Sequence, residues 1–442
     1  MPQAREVVFP PRPAFAVQSP ALSKPLSMRR TAVSIAKNPD WRPLLAYATN
    51  VHRGETLADV YGFLEKFTVP VKELVFGRRT GGVELRLGIG AARELRKPAA
   101  RKAFKAFLAE KRLVVFSINA FPLLDFHAKR VKEQVYLPSW AERQRVEWTN
   151  VIAEIFADLL PEGLDGSIST LAGGFRPSTT DESSLRKIAA NYVATVEELA
   201  RIEAKTGKTI VLAVEPEPDT TFETARELVS FFEWHMIPAA RSAWMADGLT
   251  SSDCEARLRK FFTVNYDTCH FSVLFQDPVD SLRQFWRAGI EVGKMHVTSA
   301  LALKGPERSP EKYVELRRMD EPRYFHQFCG RSAEGKVVWR GLDLPDLPAK
   351  LTAKNHPRVE EIRSHYHVPI HLLRWQRLST TRDETKKAVL EVLRARRCSH
   401  LVIETYTWPL FDKEENLVQG IANEFEWLRG VMGERWPASL RV

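Results

Sequence analysis

The stretch FTVNYDTCH, residues 262–270, is an apolar run that stops on chemistry: Asp267 and His270 stand three residues apart with Cys269 between them. Strands of a parallel sheet are covered on both faces, so they read as short apolar runs. In a barrel of such strands, the polar groups collect where each strand ends. The same shape recurs in LLAYATN (44–50), ELRLGIG (84–90), LVVFSIN (113–119), GSIST (166–170), TIVLAVEPEP (209–218), EVGKMHVTSA (291–300) and HLVIETYTW (400–408). Segments of helical periodicity lie between the runs, among them TLADVYGFLEKF, RQRVEWTNVIAEIFADLL and TRDETKKAVLEVLRARR. ENLVQGIANEFEWLRGVM supplies the last helix. Strand then helix, eight times over, predicts an α/β fold, the (β/α)8 TIM barrel. A doubly wound open sheet is the second possibility, but no GxGxxG or P-loop follows an early strand.

Such a barrel needs about 250 residues, and the chain has 442. Residues 41–442 are therefore read as a single barrel domain with long insertions on its C-terminal face. One is SAWMADGLTSSDCEARLRKF, before the sixth strand. The other spans about 301–380, contains EPRYFHQFCGR and RSHYHVPIH, and is expected to fold over the mouth. Residues 1–40 hold seven prolines and only two acids, Glu6 and Asp40, which cannot support a core. They read as a disordered or leader-like tail.

The four cysteines are scattered without a CxxC pair, so neither a disulfide framework nor a cysteine-rich zinc site is implied, and the cytoplasm is the default compartment. A leader in the tail would change that. No apolar run reaches the roughly 18 residues that a membrane span requires. The net charge of +10 sits in mixed-sign helical segments that a solvated face explains. No basic and aromatic strip suits nucleic acid, which is not the expected partner.

The strand ends form a pattern. The fifth run ends in Glu215 and Glu217, the sixth in Asp267 and His270, the seventh carries His296, and the eighth carries Glu404. Earlier runs end in Asn50 followed by His52, and in Asn119. A lone acid or histidine at a strand end is usually structural. Consecutive strands ending in Glu, Asp, His and Glu are what one divalent ion needs, and buried carboxylates without a cation are costly. The mixed oxygen and nitrogen donors favour manganese or zinc, with magnesium possible.

The series Val214-Glu215-Pro216, Asp267-Thr268-Cys269-His270, His296 and Glu404 resembles the xylose isomerase-like TIM barrels, the sugar phosphate isomerase/epimerase superfamily. YATNVHRGET, FSINAFP, RVKEQVYLPSW, AVEPEPDTTFET, NYDTCH, SHYHVPIH and VIETYTW look like the EboE family, associated with metabolite traffic, over about residues 44–410. The resemblance implies Glu215, Asp267, His296 and Glu404 as metal ligands and His270 as the residue facing a substrate oxygen. His365 and His367 offer an alternative imidazole. Glu217 is read as a helix cap or an orienter of a substrate hydroxyl, and Cys269 as packing behind its strand.

The expected activity is metal-dependent isomerisation or epimerisation of a polyol, sugar or sugar phosphate through a metal-stabilised enediolate. Glu215 and Glu404 would exchange the proton. Lys294, Arg176 and Lys129 are candidates for a substrate phosphate, with ordinary surface cations the plainer reading. Two alternatives stand beside this. One is a binding barrel that passes a metabolite to partner proteins of a traffic pathway; the other is a metal-dependent phosphodiester hydrolase, which would need further histidine ligands.

Overall fold

In the computed structural model, which describes residues 41–352 and 354–437, each apolar run contributes a parallel strand. These are β1 (Leu44–Tyr47), β2 (Gly81–Arg86), β3 (Leu113–Asn119), β4 (Gly166–Leu171), β5 (Ile210–Glu215), β6 (Phe262–Asp267) and β7 (Val292–Val297). After an insertion comes the last of them, here numbered β14 (His400–Ile403). The order around the sheet is β1-β14-β7-β6-β5-β4-β3-β2, with a single parallel bridge from Ala48 to Glu84 where β1 meets β2. The predicted (β/α)8 barrel is thus present and nearly closed. Its seam depends on Gly82, where a Cβ would lie 2.3 Å from the Leu45 carbonyl oxygen. The predicted tail, residues 1–40, lies outside the described residues.

The helices start where the sequence can cap them. Thr56 with Asp59, Thr224 with Glu227 and Thr250 with Asp253 each form a reciprocal capping box. The segment before the sixth strand contains the helix Ser251–Phe261, following Ile237–Trp244. Two strand boundaries differ from expectation. β2 starts three residues early and stops at Arg86, and β5 stops at Glu215, so Glu217 lies in the following loop.

The barrel interior departs from the usual filling of branched apolar side chains. Here Glu84, Ser117, Ser167, Asn265, Lys294, His296 and His400 are all buried. A chain of hydrogen bonds links them: His400 Nδ1 lies 2.9 Å from Ser167 Oγ, Ser167 donates to Ser117 Oγ at 3.1 Å, and Ser117 donates to Glu84 Oε2 at 2.6 Å.

Residues 301–380 build a second, antiparallel sheet of β8 (Leu301–Lys304), β9 (Phe328–Arg331), β10 (Val337–Gly341), β11 (Glu361–Ser364), β12 (Arg374–Trp375) and β13 (Leu378–Thr380), ordered β10-β9-β11-β8-β13-β12. Leu301, Leu303, Tyr313, Phe328, Ile362 and Tyr366 give it an apolar core of its own. β11 runs straight into His365 and His367. Among the described residues no helix is long and apolar enough to cross a membrane. All four cysteines are free and buried.

Candidate metal centre

Glu215 ends β5, Asp267 ends β6, His296 is the penultimate residue of β7, and Glu404 follows β14 directly. Parallel register sets Asp267 beside His296. One donor atom from each of these four residues lies within 4.8 Å of all the others. His296 Nδ1 is 3.0 Å from Glu215 Oε1, 3.1 Å from Glu404 Oε2 and 3.7 Å from Asp267 Oδ2, and Asn265 Nδ2 is 3.1 Å from the same nitrogen. One ring nitrogen carries at most one proton, so three carboxylates around it cannot all be satisfied by it.

The oxygens show the same excess of negative charge. Glu215 Oε2 and Asp267 Oδ2 are buried without a hydrogen-bond partner. Asp267 Oδ1, in contrast, accepts from the Cys269 and His270 backbone amides at 2.7 and 3.2 Å and from Thr298 Oγ1 at 2.5 Å. The carboxylate is held by one oxygen and presents the other. Burial alone would lift the Glu404 carboxyl, but His296 and His367 hold it well below the usual range. Burial likewise opposes ionisation of Asp267, yet His270 and His367 bring it down to about 2. Burial would lower His296, and Glu404 and Glu215 instead raise it well above the ordinary imidazole value. Three buried carboxylates, two of whose oxygens lack a hydrogen-bond partner, and an imidazole among them fit a divalent cation with mixed oxygen and nitrogen ligands.

Around this centre lie the residues that orient it. Glu404 Oε1 accepts from Asn50 Nδ2 at 2.6 Å, with Asn119 Nδ2 at 3.4 Å. His270 Nδ1 is 3.1 Å from the Pro216 carbonyl, and its Nε2 is 3.9 Å from Asp267 Oδ2. His367 Nδ1 is 2.7 Å from the Glu404 carbonyl, and His365 Nδ1 is 2.8 Å from Gln327 Oε1. His296 thus shares a donor group with Glu215, Asp267 and Glu404, while His365 and His367 line the cavity beside it. Three further donor groups have ligand spacing: Asp267 with His270 and His367, Glu217 with His270 and His365, and Cys269 with His365 and His367.

Several expectations are corrected. His52 does not join the site: it is stacked between Phe63 and Phe67, and Tyr47 Oη lies 3.0 Å from its Nε2. Glu217 caps no helix. Thr224 and Glu227 do that, while Glu217 accepts from Tyr136 Oη at 3.3 Å, and burial with Glu215 nearby raises its carboxyl well above the usual range. Lys294 is no surface cation but fully buried and paired with Glu84. Arg176 is engaged by Glu227 at 2.7 Å. Cys269 is buried as expected, its thiol pushed up to about 11 by burial, although it also borders the histidines.

Glu84 was missed. Its Oε1 lies 3.0 Å from His296 Nε2, opposite the ligand-facing nitrogen. Burial would raise its carboxyl, but Lys294 and His296 hold it down to about 2. A signal existed in the sequence: Lys294 and His296, two apart on one strand, share a face, so a lysine had to enter the barrel and find an acid there.

The mouth holds a partly open cavity of about 50 Å³. Its floor includes Glu215, Glu217, His270, His365, His367 and Glu404, and its walls are aromatic: Phe121, Phe126, Tyr136, Tyr324, Phe325 and Tyr406.

No protein-family model and no curated protein matches the sequence. Among solved structures, the chain is similar to a xylose isomerase domain protein from Planctomyces limnophilus, with 13% identity, a TM-score of 0.47, and coverage of 90% of this chain and 99% of that one. It is also similar to an IolI protein with a bound zinc atom (11%, TM-score 0.45, 89% and 99%) and to a D-tagatose 3-epimerase-like protein (11%, TM-score 0.45, 88% and 99%). The (β/α)8 barrel rests on the strand order described above, and the roles of its residues rest on the geometry of the site.

Proposed function

We propose that the protein is a divalent-metal-dependent isomerase or epimerase of a sugar, sugar phosphate or other polyol. The observation that carries this reading is the convergence of Glu215, Asp267, His296 and Glu404 within 4.8 Å with two carboxylate oxygens left unpartnered. When bound, manganese, zinc or magnesium supplies the positive charge that favours an enediolate over the starting hydroxycarbonyl. Glu215 and Glu404 both reach the cavity, one to take the carbon-bound proton and the other to return it. Asn50 and Asn119 hold Glu404 by its other oxygen. His270, anchored on the Pro216 carbonyl, faces a substrate oxygen. The aromatic side chains beside the site would limit the water around the proton in transit. The resemblance to EboE adds a place in metabolite traffic.

The test is metal content of protein purified without chelator, followed by turnover on a panel of sugars, sugar phosphates and inositols. About one ion per chain, and turnover lost at least about a hundredfold in Glu404→Gln, are expected. No ion after reconstitution would sink the catalytic reading and leave a metabolite-binding barrel. A second reading, a multi-ion phosphodiester hydrolase, is favoured by the three further donor groups around His270, His365 and His367. Two or three zinc ions per chain with phosphodiesterase activity would establish it instead.

A further inference from the structure

Glu84 lies on β2 and Lys294 on β7, and both side chains are fully buried inside the barrel. Removing two such charges from water costs several kcal/mol per ion before their attraction is counted, and an apolar pair of the same volume is often as stable or more so. Pairing with Lys294 therefore does not explain why Glu84 is there. Its other oxygen does: Oε1 lies 3.0 Å from His296 Nε2, while Oε2 is held by Ser117 and Lys294. The carboxylate is clamped on one side and offers the other to the imidazole.

We infer that Glu84 is a positioning residue for the metal centre, holding the proton of His296 on Nε2 so that Nδ1 presents its lone pair to the ion shared with Glu215, Asp267 and Glu404. A carboxylate behind a metal-bound imidazole fixes the tautomer and the ring orientation and makes the nitrogen a stronger donor. Lys294 offsets the charge of Glu84. Ser117 fixes its angle, and the chain through Ser167 to His400 anchors that serine in turn. Strands on both sides of the barrel thus aim one ligand. This inference rests on the proposed metal centre.

The experiment measures the zinc affinity of the full-length protein by competition with a chromophoric chelator, together with its thermal unfolding. The double variant Glu84→Gln/Lys294→Met removes both buried charges, so it isolates the imidazole contact from the ion pair. It is expected to bind zinc ten- to a hundredfold more weakly than the wild type. Glu84→Asp keeps a charge for Lys294 but shortens the reach to Nε2, and the same direction of change is expected should the double variant fail to fold. Wild-type zinc affinity in a folded double variant, or in Glu84→Asp if the double variant does not fold, would overturn the inference and leave Glu84 as a structural ion-pair partner. That result would leave the metal centre standing provided zinc is still lost in Asp267→Ala. A wild-type protein that binds no zinc would overturn both.

Discussion

Two groups of ionisable side chains meet at the mouth, and only one of them balances its own charge. The barrel strands contribute three acids around one imidazole, His296, and leave two carboxylate oxygens without a hydrogen-bond partner. The short helix Thr268–Val273 after β6 and the antiparallel insertion contribute His270, His365 and His367, and that group balances itself. His365 Nε2 and His367 Nε2 are 3.2 Å apart, a distance that one shared proton satisfies. Burial and the neighbouring His270 and His367 keep His365 well below the usual imidazole range, whereas Asp267 and Cys269 raise His367 well above it against the effect of burial. A proton suffices for the histidines; the acids need more positive charge than one imidazole carries.

The largest effect is expected where that difference is attacked directly. Asp267→Ala combined with Glu404→Ala removes two ligands of the acid-rich group, and elemental analysis should show bound metal falling from about one ion per chain to none. Metal retained at full occupancy would mean that the histidine group is the true holder. A smaller effect is expected from His365→Ala combined with His367→Ala: the ion should stay, and kcat/KM should fall about tenfold through lost substrate contacts. Loss of the ion in that variant would reverse the comparison.

The smallest expected effect concerns a third solution to a buried acid. Glu424 accepts from Thr405 Oγ1 and the Ile370 amide, and its carboxyl is pushed up to about 7 by burial, which outweighs those bonds and the charge of His367. An acid whose folded value exceeds its unfolded value keeps its proton longer in the native state. Stability should therefore fall as pH rises from about 4.5 to 7, and stay level on either side. Glu424→Gln should remove up to about 3 kcal/mol of that slope, as read from denaturant unfolding at pH 5 and pH 8. An unchanged slope would show that Glu424 is not the acid responsible.

The eight barrel strands were legible because burial on both faces forces apolar runs, and the ligand strands because carboxylates at run ends have few other uses. What escaped was pairwise. Glu84 opens an apolar run and looks like its solvated first residue until Lys294, more than two hundred positions away, is set opposite it. Glu217 fits the start of a helix by spacing, but β5 ends at Glu215, and the chain turns before Thr224 takes the cap. His52 follows an apolar run as the true site residues do, and only the stacking of Phe63 and Phe67 reveals a structural role. The strands of the insertion, two to five residues long, are too short to carry a period.

Glu84 is also the residue whose backbone bridges to Ala48 at the seam of the ring. The same residue thus zips the barrel shut and steadies the imidazole from behind. On the proposed metal centre, a substitution that loosens that seam is therefore expected to weaken the grip on the ion as well.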